Sequence, residues 1–280
     1  MSMPRSAPAS LALALALVAC APLAVAHEMF LKSEGYELEP GPQQVVRLLN
    51  GTFDISENSV SRDRMRDVSI VVGGNTVHPA SSDWYDDEEA TSSFLRYGAA
   101  TPGTYVIGVS TKPSMIELSR DDFIAYLKHD GVLDTLAEVE KQGGPAKVRE
   151  RYSKHVKTIV QVGKDRSADF AAVLGYPVEI VPDTNPYDLR FGQEMSFRVL
   201  VDGKPATNQL VRAGYEGFHQ HDEAGGHFSH LTLRTDAEGR ASFLLSNKAL
   251  WYISLIYMKK SADAGVDYES RWATLSFTVK

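Results

Sequence analysis

Four of the chain's eight histidines fall within one short stretch, Phe218-His219-Gln220-His221-Asp222-Glu223-Ala224-Gly225-Gly226-His227-Phe228-Ser229-His230. Neutral imidazole is the commonest side-chain metal ligand and suits zinc, copper, nickel and cobalt. Gly225-Gly226 reads as a two-residue hairpin turn. That turn puts His221 directly across from His230, at roughly 5 Å between Cβ atoms, with His219 two residues back on the same face. His227 points the other way. Three imidazoles on one face, with Asp222 and Glu223 beside them, could hold one divalent transition-metal ion. A solvated hairpin tip is the plainer reading of the same residues.

His27 is the second candidate. Residues 1–26 read as an export signal. Arg5 is the sole charge there, Leu11 to Val18 is a Leu/Ala run too short for a bilayer of about 30 Å, and Ala24-Val25-Ala26 fits a small-x-small cleavage site. Leu17-Val18-Ala19-Cys20 offers a rival, a lipobox that would lipidate Cys20 and tether the protein to a membrane. Cleavage after Ala26 frees the α-amine of His27, with a pKa of about 7.7–8.0. Amine and imidazole can then chelate one ion, and a further histidine completes a brace that suits copper. The expected ligands are therefore His27, His219, His221 and His230, in a periplasmic protein.

The other histidines ask for less. His155 falls in line with Val148, Tyr152 and Ile159 and is expected as a hydrogen-bonded core residue. His129 stands near a helix end, before Asp130-Gly131, where a helix dipole favours a cation. His78 precedes Pro79 at a strand end. The acidic run Asp83, Asp86, Asp87, Glu88 and Glu89 around Trp84-Tyr85 reads as a solvated loop before it reads as a calcium site. No Gly-x-Ser-x-Gly elbow, P-loop or dinucleotide fingerprint occurs. The expectation is a binding protein, not an enzyme. A net charge of −7 argues against nucleic acid, which rewards basic surfaces. The one cysteine, Cys20, lies inside the signal, so no disulfide or thiolate site is expected.

The elements that must position these residues are mainly strands. Met195, Phe197, Val199 and Val201 alternate with polar residues, which marks a half-buried strand. Asp202-Gly203 follows as a tight turn, and Thr235-Asp236-Ala237-Glu238-Gly239 is another. Val211, Ala213 and Tyr215; Ala241, Phe243 and Leu245; Trp251, Ile253, Leu255 and Tyr257; and Ala273, Leu275, Phe277 and Val279 repeat the alternation. Residues 176–280 thus read as an immunoglobulin-like or transthyretin-like β-sandwich. Residues 27–175 read as a first β-sandwich, with strands near 43–50, 68–77, 94–97 and 104–109. A helical insert is expected at about 119–162, capped by Ser119 before Arg120-Asp121-Asp122. Within it, Ala146 to Val162 is expected as a helix, with Val148, Tyr152, Val156 and Ile159 on one face.

Several segments together resemble a known family. They are His27-Glu28-Met29-Phe30-Leu31, Arg149 to Lys157, Thr184-Asn185-Pro186-Tyr187-Asp188-Leu189, Phe197 to Pro205, Arg234 to Arg240, and Tyr268 to Leu275. The chain resembles the exported family called domain of unknown function 4198, whose members are often labelled periplasmic components of cobalt or nickel uptake. That resemblance implies β-sandwich modules, a role with a divalent metal, and a membrane metal transporter as partner. Many members carry His-Met where Tyr257-Met258 stands here. The alternative expectation is a metal-free binding or adhesion module that meets a protein partner or a glycan through its sandwich loops. A copper oxidase built on the N-terminal brace is a third.

Overall fold

A computed structural model describes residues 28–218, 220–221, 227–228 and 230–280. The first strands are β1 (Glu28–Ser33), β2 (Glu37–Leu38), β3 (Gly41–Gly51), β4 (Met65–Val72), β5 (Asn75–Val77), β6 (Trp84–Asp86), β7 (Ser93–Ala99), β8 (Gly103–Thr111) and β9 (Ser114–Ser119). Two helices follow, α1 (Arg120–His129) and α2 (Leu133–Gln142). Then come β10 (Lys147–Val162), β11 (Val178–Pro182), β12 (Glu194–Val201), β13 (Lys204–Pro205), β14 (Leu210–Tyr215), β15 (Gln220–His221), β16 (His227–Phe228), β17 (Leu231–Arg234), β18 (Arg240–Leu244), β19 (Leu250–Lys260) and β20 (Tyr268–Thr278). The fold is mainly β, with sheets packed in layers and two helices.

The middle layer is a ten-stranded mixed sheet in the order β17-β14-β19-β20-β10-β8-β4-β5, with β2 and β9 also paired to β10. One of its faces packs on the sheet β1-β3-β7-β6. Met29, Leu31, Val46, Leu48 and Leu95 from that sheet meet Ile70, Tyr105, Ile107, Val156 and Val160. The opposite face packs on β11, β12, β13 and β18. There Ile180, Met195, Phe197, Val199 and Phe243 meet Val211, Trp251, Ile253, Leu275 and Phe277. The middle sheet runs without a break across residue 175, because β10 pairs directly with β20 in parallel. The alternation of β12, β19 and β20 is as expected, since one face of each strand is buried. The Asp202-Gly203 turn has φ of 49° and 74°, the left-handed geometry of a primed hairpin turn.

The helical expectation holds for 120–142 and fails beyond it. Ser119 Oγ accepts from the Asp122 N–H at 3.1 Å and caps α1. Within the expected helix 146–162, residues 147–162 instead form the longest strand among the described residues. β10 sits at the centre of the middle sheet, and its last ten residues are buried on both faces. Val148, Val156, Thr158, Ile159, Val160 and Val162 are β-branched and fit a pleated surface with neighbours on both sides.

Candidate functional site

The site is built where β1 begins. Glu28 opens that strand, opposite Gly51 of β3. Asp130 and Gly131 follow the end of α1, and Arg212 and Ser254 face each other across β14 and β19. Glu28, Asp130, Gly131, Arg212 and Ser254 line a cavity of about 50 Å³. Arg212 Nη2 donates to the His129 carbonyl at 2.7 Å, so a cation meets the carbonyl end of α1. Gly131 is required there. It has φ of +69°, and a Cβ would come within 2.8 Å of the Arg212 guanidinium.

The charges in this corner are shifted by burial and by one another. Burial pushes the Glu28 carboxyl up to about 7, and the nearby Asp130 carboxylate pushes the same way. Arg212, Ser254 and Lys154 pull it back in part. His129 is raised above its ordinary value, mainly by its hydrogen bond with Asp130, where Nδ1 lies 2.7 Å from Oδ1. Asp130 is 7% exposed, and its Oδ2 has no hydrogen-bond partner among the described residues. His230 is held down at about 4 by burial and by the Arg212 cation. At neutral pH it is therefore the uncharged imidazole.

The predicted ligands divide between described and undescribed residues. His27 and His219 lie outside the described residues. His221 belongs to β15, and the observed register sets it opposite His227, not opposite His230 as expected. Residues 222–226, with the expected Gly225-Gly226 turn, lie outside the described residues. His230 is instead drawn to the middle sheet, because the next residue, Leu231, pairs with Ala213. Among the described residues, no group of three or more His, Cys, Asp and Glu side chains is placed to hold a metal.

The remaining sequence candidates are structural. His155 is 2% exposed, with Ser110 Oγ 2.9 Å from Nδ1 and Ser153 Oγ 3.0 Å from Nε2, and burial drives it down to about 3. It is the hydrogen-bonded core histidine expected, carried by a strand. His78 Nδ1 lies 3.2 Å from Asp67 Oδ1 and 3.0 Å from the Val68 carbonyl. In the acidic run, Asp87 accepts from the backbone of Thr91 and Ser92, Asp86 pairs with Arg62 at 2.7 Å, and Asp83 caps the Ala80 N–H.

Behind the site lies a buried ionisable network that the sequence did not reveal. Glu150 is fully buried, accepting from Tyr126 OH at 3.2 Å and from Ser270 Oγ. Burial raises its carboxyl to about 7. Lys154 is 6% exposed, donates to Asn50 Oδ1 at 2.9 Å, and is pushed down to about 7 by burial and by Arg64. The only hint in sequence was the alternation of charge with Val148 and Val156, which a helical reading sends to solvent.

The family model for a domain of unknown function, DUF4198, matches residues 24–259. No curated protein matches the chain. Among solved structures, dimeric latent PorU from Porphyromonas gingivalis aligns at 11% identity and a TM-score of 0.22, over 89% of this chain and 19% of that one. Trypsin-activated alpha-2-macroglobulin from Escherichia coli aligns at 11% identity and a TM-score of 0.21, over 91% and 16%. The Yersinia pseudotuberculosis adhesin InvE aligns at 13% identity and a TM-score of 0.21, over 91% and 59%. This chain thus spans less than a fifth of the first two proteins. Likeness at this level carries no argument about function.

Proposed function

We propose that this protein, which belongs to the DUF4198 family, is a periplasmic binding protein for one divalent transition-metal ion. The ion is nickel, cobalt, copper or zinc, and the role is uptake or handling alongside a membrane transporter, without catalysis. One observation carries the reading: Glu28 and His230 both sit within electrostatic reach of the same Arg212 guanidinium. The residue after His27 and the last histidine of the His-rich stretch thus both feel the one guanidinium at that corner of the middle sheet.

The chemistry of that corner suits a metal. His230 is neutral well below pH 7, and a neutral imidazole is the form that ligates. His27, once processed, offers an amine and an imidazole within one residue. His219 and His221 lie close in sequence to His230 and supply further nitrogen donors. Glu28, raised to about 7, would give up its proton when a cation arrives, so binding should release protons and weaken as the pH falls.

The test is calorimetric titration of the processed protein with each of the four ions. H230A should weaken binding by roughly tenfold or more, and H27A should weaken it further. Unchanged affinity in both variants would overturn the assignment.

A further inference from the structure

A second site lies on the other face of β10, where the sheet splits. Pairing of β10 with β9 ends at Tyr152, and pairing with β8 begins at Ile159. Between them, hydroxyls replace the ladder: Thr111 Oγ1 accepts the Lys154 N–H at 2.9 Å, and Ser110 Oγ meets His155. Beside this split opens a cleft of about 330 Å³, whose charged lining is Arg66, Arg151, Arg271 and Glu269. Three guanidiniums in one cleft are a local exception in a chain of net charge −7.

These guanidiniums are only partly used. Arg66 makes no hydrogen bond or ion pair among the described residues, and its charge is felt by His155. Arg151 spends only Nη2, on Asp263 at 2.6 Å and on Glu269. Arg271 spends only Nη1, on Asp202 at 2.8 Å and the Pro177 carbonyl at 3.4 Å. Nε and the other terminal nitrogen of both have no hydrogen-bond partner among the described residues. Asp263 and Asp202 are exposed, and exposed ion pairs are weak, so neither closes the cleft against a competing anion. The register fixes the array, because Arg151 lies beside Glu269 and Ser153 beside Arg271 across the parallel pair. Planar guanidinium forks match carboxylate and phosphate oxygens two at a time.

We propose that this cleft binds a small oxyanion, a phosphate or a polycarboxylate, held by Arg66, Arg151 and Arg271. The site faces away from the corner that holds Glu28 and does not rest on the metal reading. The experiment is calorimetric titration of metal-stripped protein at low ionic strength with inorganic phosphate and, separately, with citrate. Saturable one-site binding of either anion supports the proposal, and the one that binds names the class. R66Q alters an exposed, unpaired residue and should weaken that binding roughly tenfold, with R271Q behaving alike. R190Q, at a distant exposed arginine, should leave it unchanged. No saturable binding of either anion at millimolar concentration overturns the proposal. So does an equal loss in R190Q, which would mark diffuse charge attraction.

Discussion

Along β10 neighbouring side chains live in opposite environments. Glu150 and Lys154 face the packed side, against Tyr126, Ser270 and Asn50. Arg151, Ser153 and His155 face the cleft. On the packed side, both ionisable groups are pushed toward their neutral forms, the carboxyl up and the amine down. On the cleft side, the cations are arginines, which keep their charge under any such pressure. The residue type follows the task. Lysine and glutamate can be buried because each can surrender its charge, and arginine stands where the charge is to be kept. His155, buried beneath the cleft, is kept neutral by burial and by the Arg271 and Arg66 cations.

The largest test of this contrast is Trp272. It is 2% exposed and stacks on Tyr126 with centroids 5.9 Å apart. W272A should cost about 3–5 kcal/mol in urea unfolding, whereas R66Q on the cleft side should stay within about 0.5 kcal/mol. A comparable loss in both would erase the distinction.

Next is His155. H155A leaves two buried serine hydroxyls without their imidazole partner and should cost about 1–3 kcal/mol. The pH dependence sharpens the test. The folded pKa is about 3 against 6.5, so this histidine's share of stability is present above pH 6.5 and is lost as pH falls toward 3. H155A should flatten that part of the unfolding profile.

Glu150 should behave with the opposite sign. Its folded pKa is raised from 4.5 to about 7. The folded state therefore favours the protonated acid, and stability is lost as pH rises between those two values. E150Q keeps an acceptor for Tyr126 and Ser270. It should exceed the wild type by about 1 kcal/mol above pH 7, with the gap closing toward pH 4.5. Thermal melts across that range read the effect directly. Smallest of all is D263N at the cleft rim, an exposed pair with Arg151 whose loss should change stability by no more than about 0.5 kcal/mol.

The strands of residues 194–201, 250–257 and 272–279 were legible because each buries one face fully and leaves an alternating signature. β10 was not, for an arithmetical reason. Val148, Tyr152 and Val156 are four apart, and four is near a helical turn but also an even number. The same three residues share one face of a strand, and the run of β-branched residues after 156 was the signal that separated the two. At the site, Glu28, Asp130 and Arg212 come from segments that only the tertiary fold brings together, so no local spacing could announce them. The histidine hairpin misled in its register, because Leu231 to Arg234 is claimed by β14 and draws His230 out of the local pair.

The parallel pairing of β10 with β20 has a consequence in time. Thr158 Oγ1 reaches the Ser276 carbonyl at 3.2 Å across 118 residues, and Thr274 Oγ1 reaches the Met29 carbonyl at 2.8 Å across 245. A growing chain thus holds β10 with one edge unfilled until β20 has been made. Such distant contacts are slow to form, and an open strand edge is a template for the wrong neighbour. β20 is thus the latch that joins the two halves of the middle sheet, β10 on one side and β19 on the other.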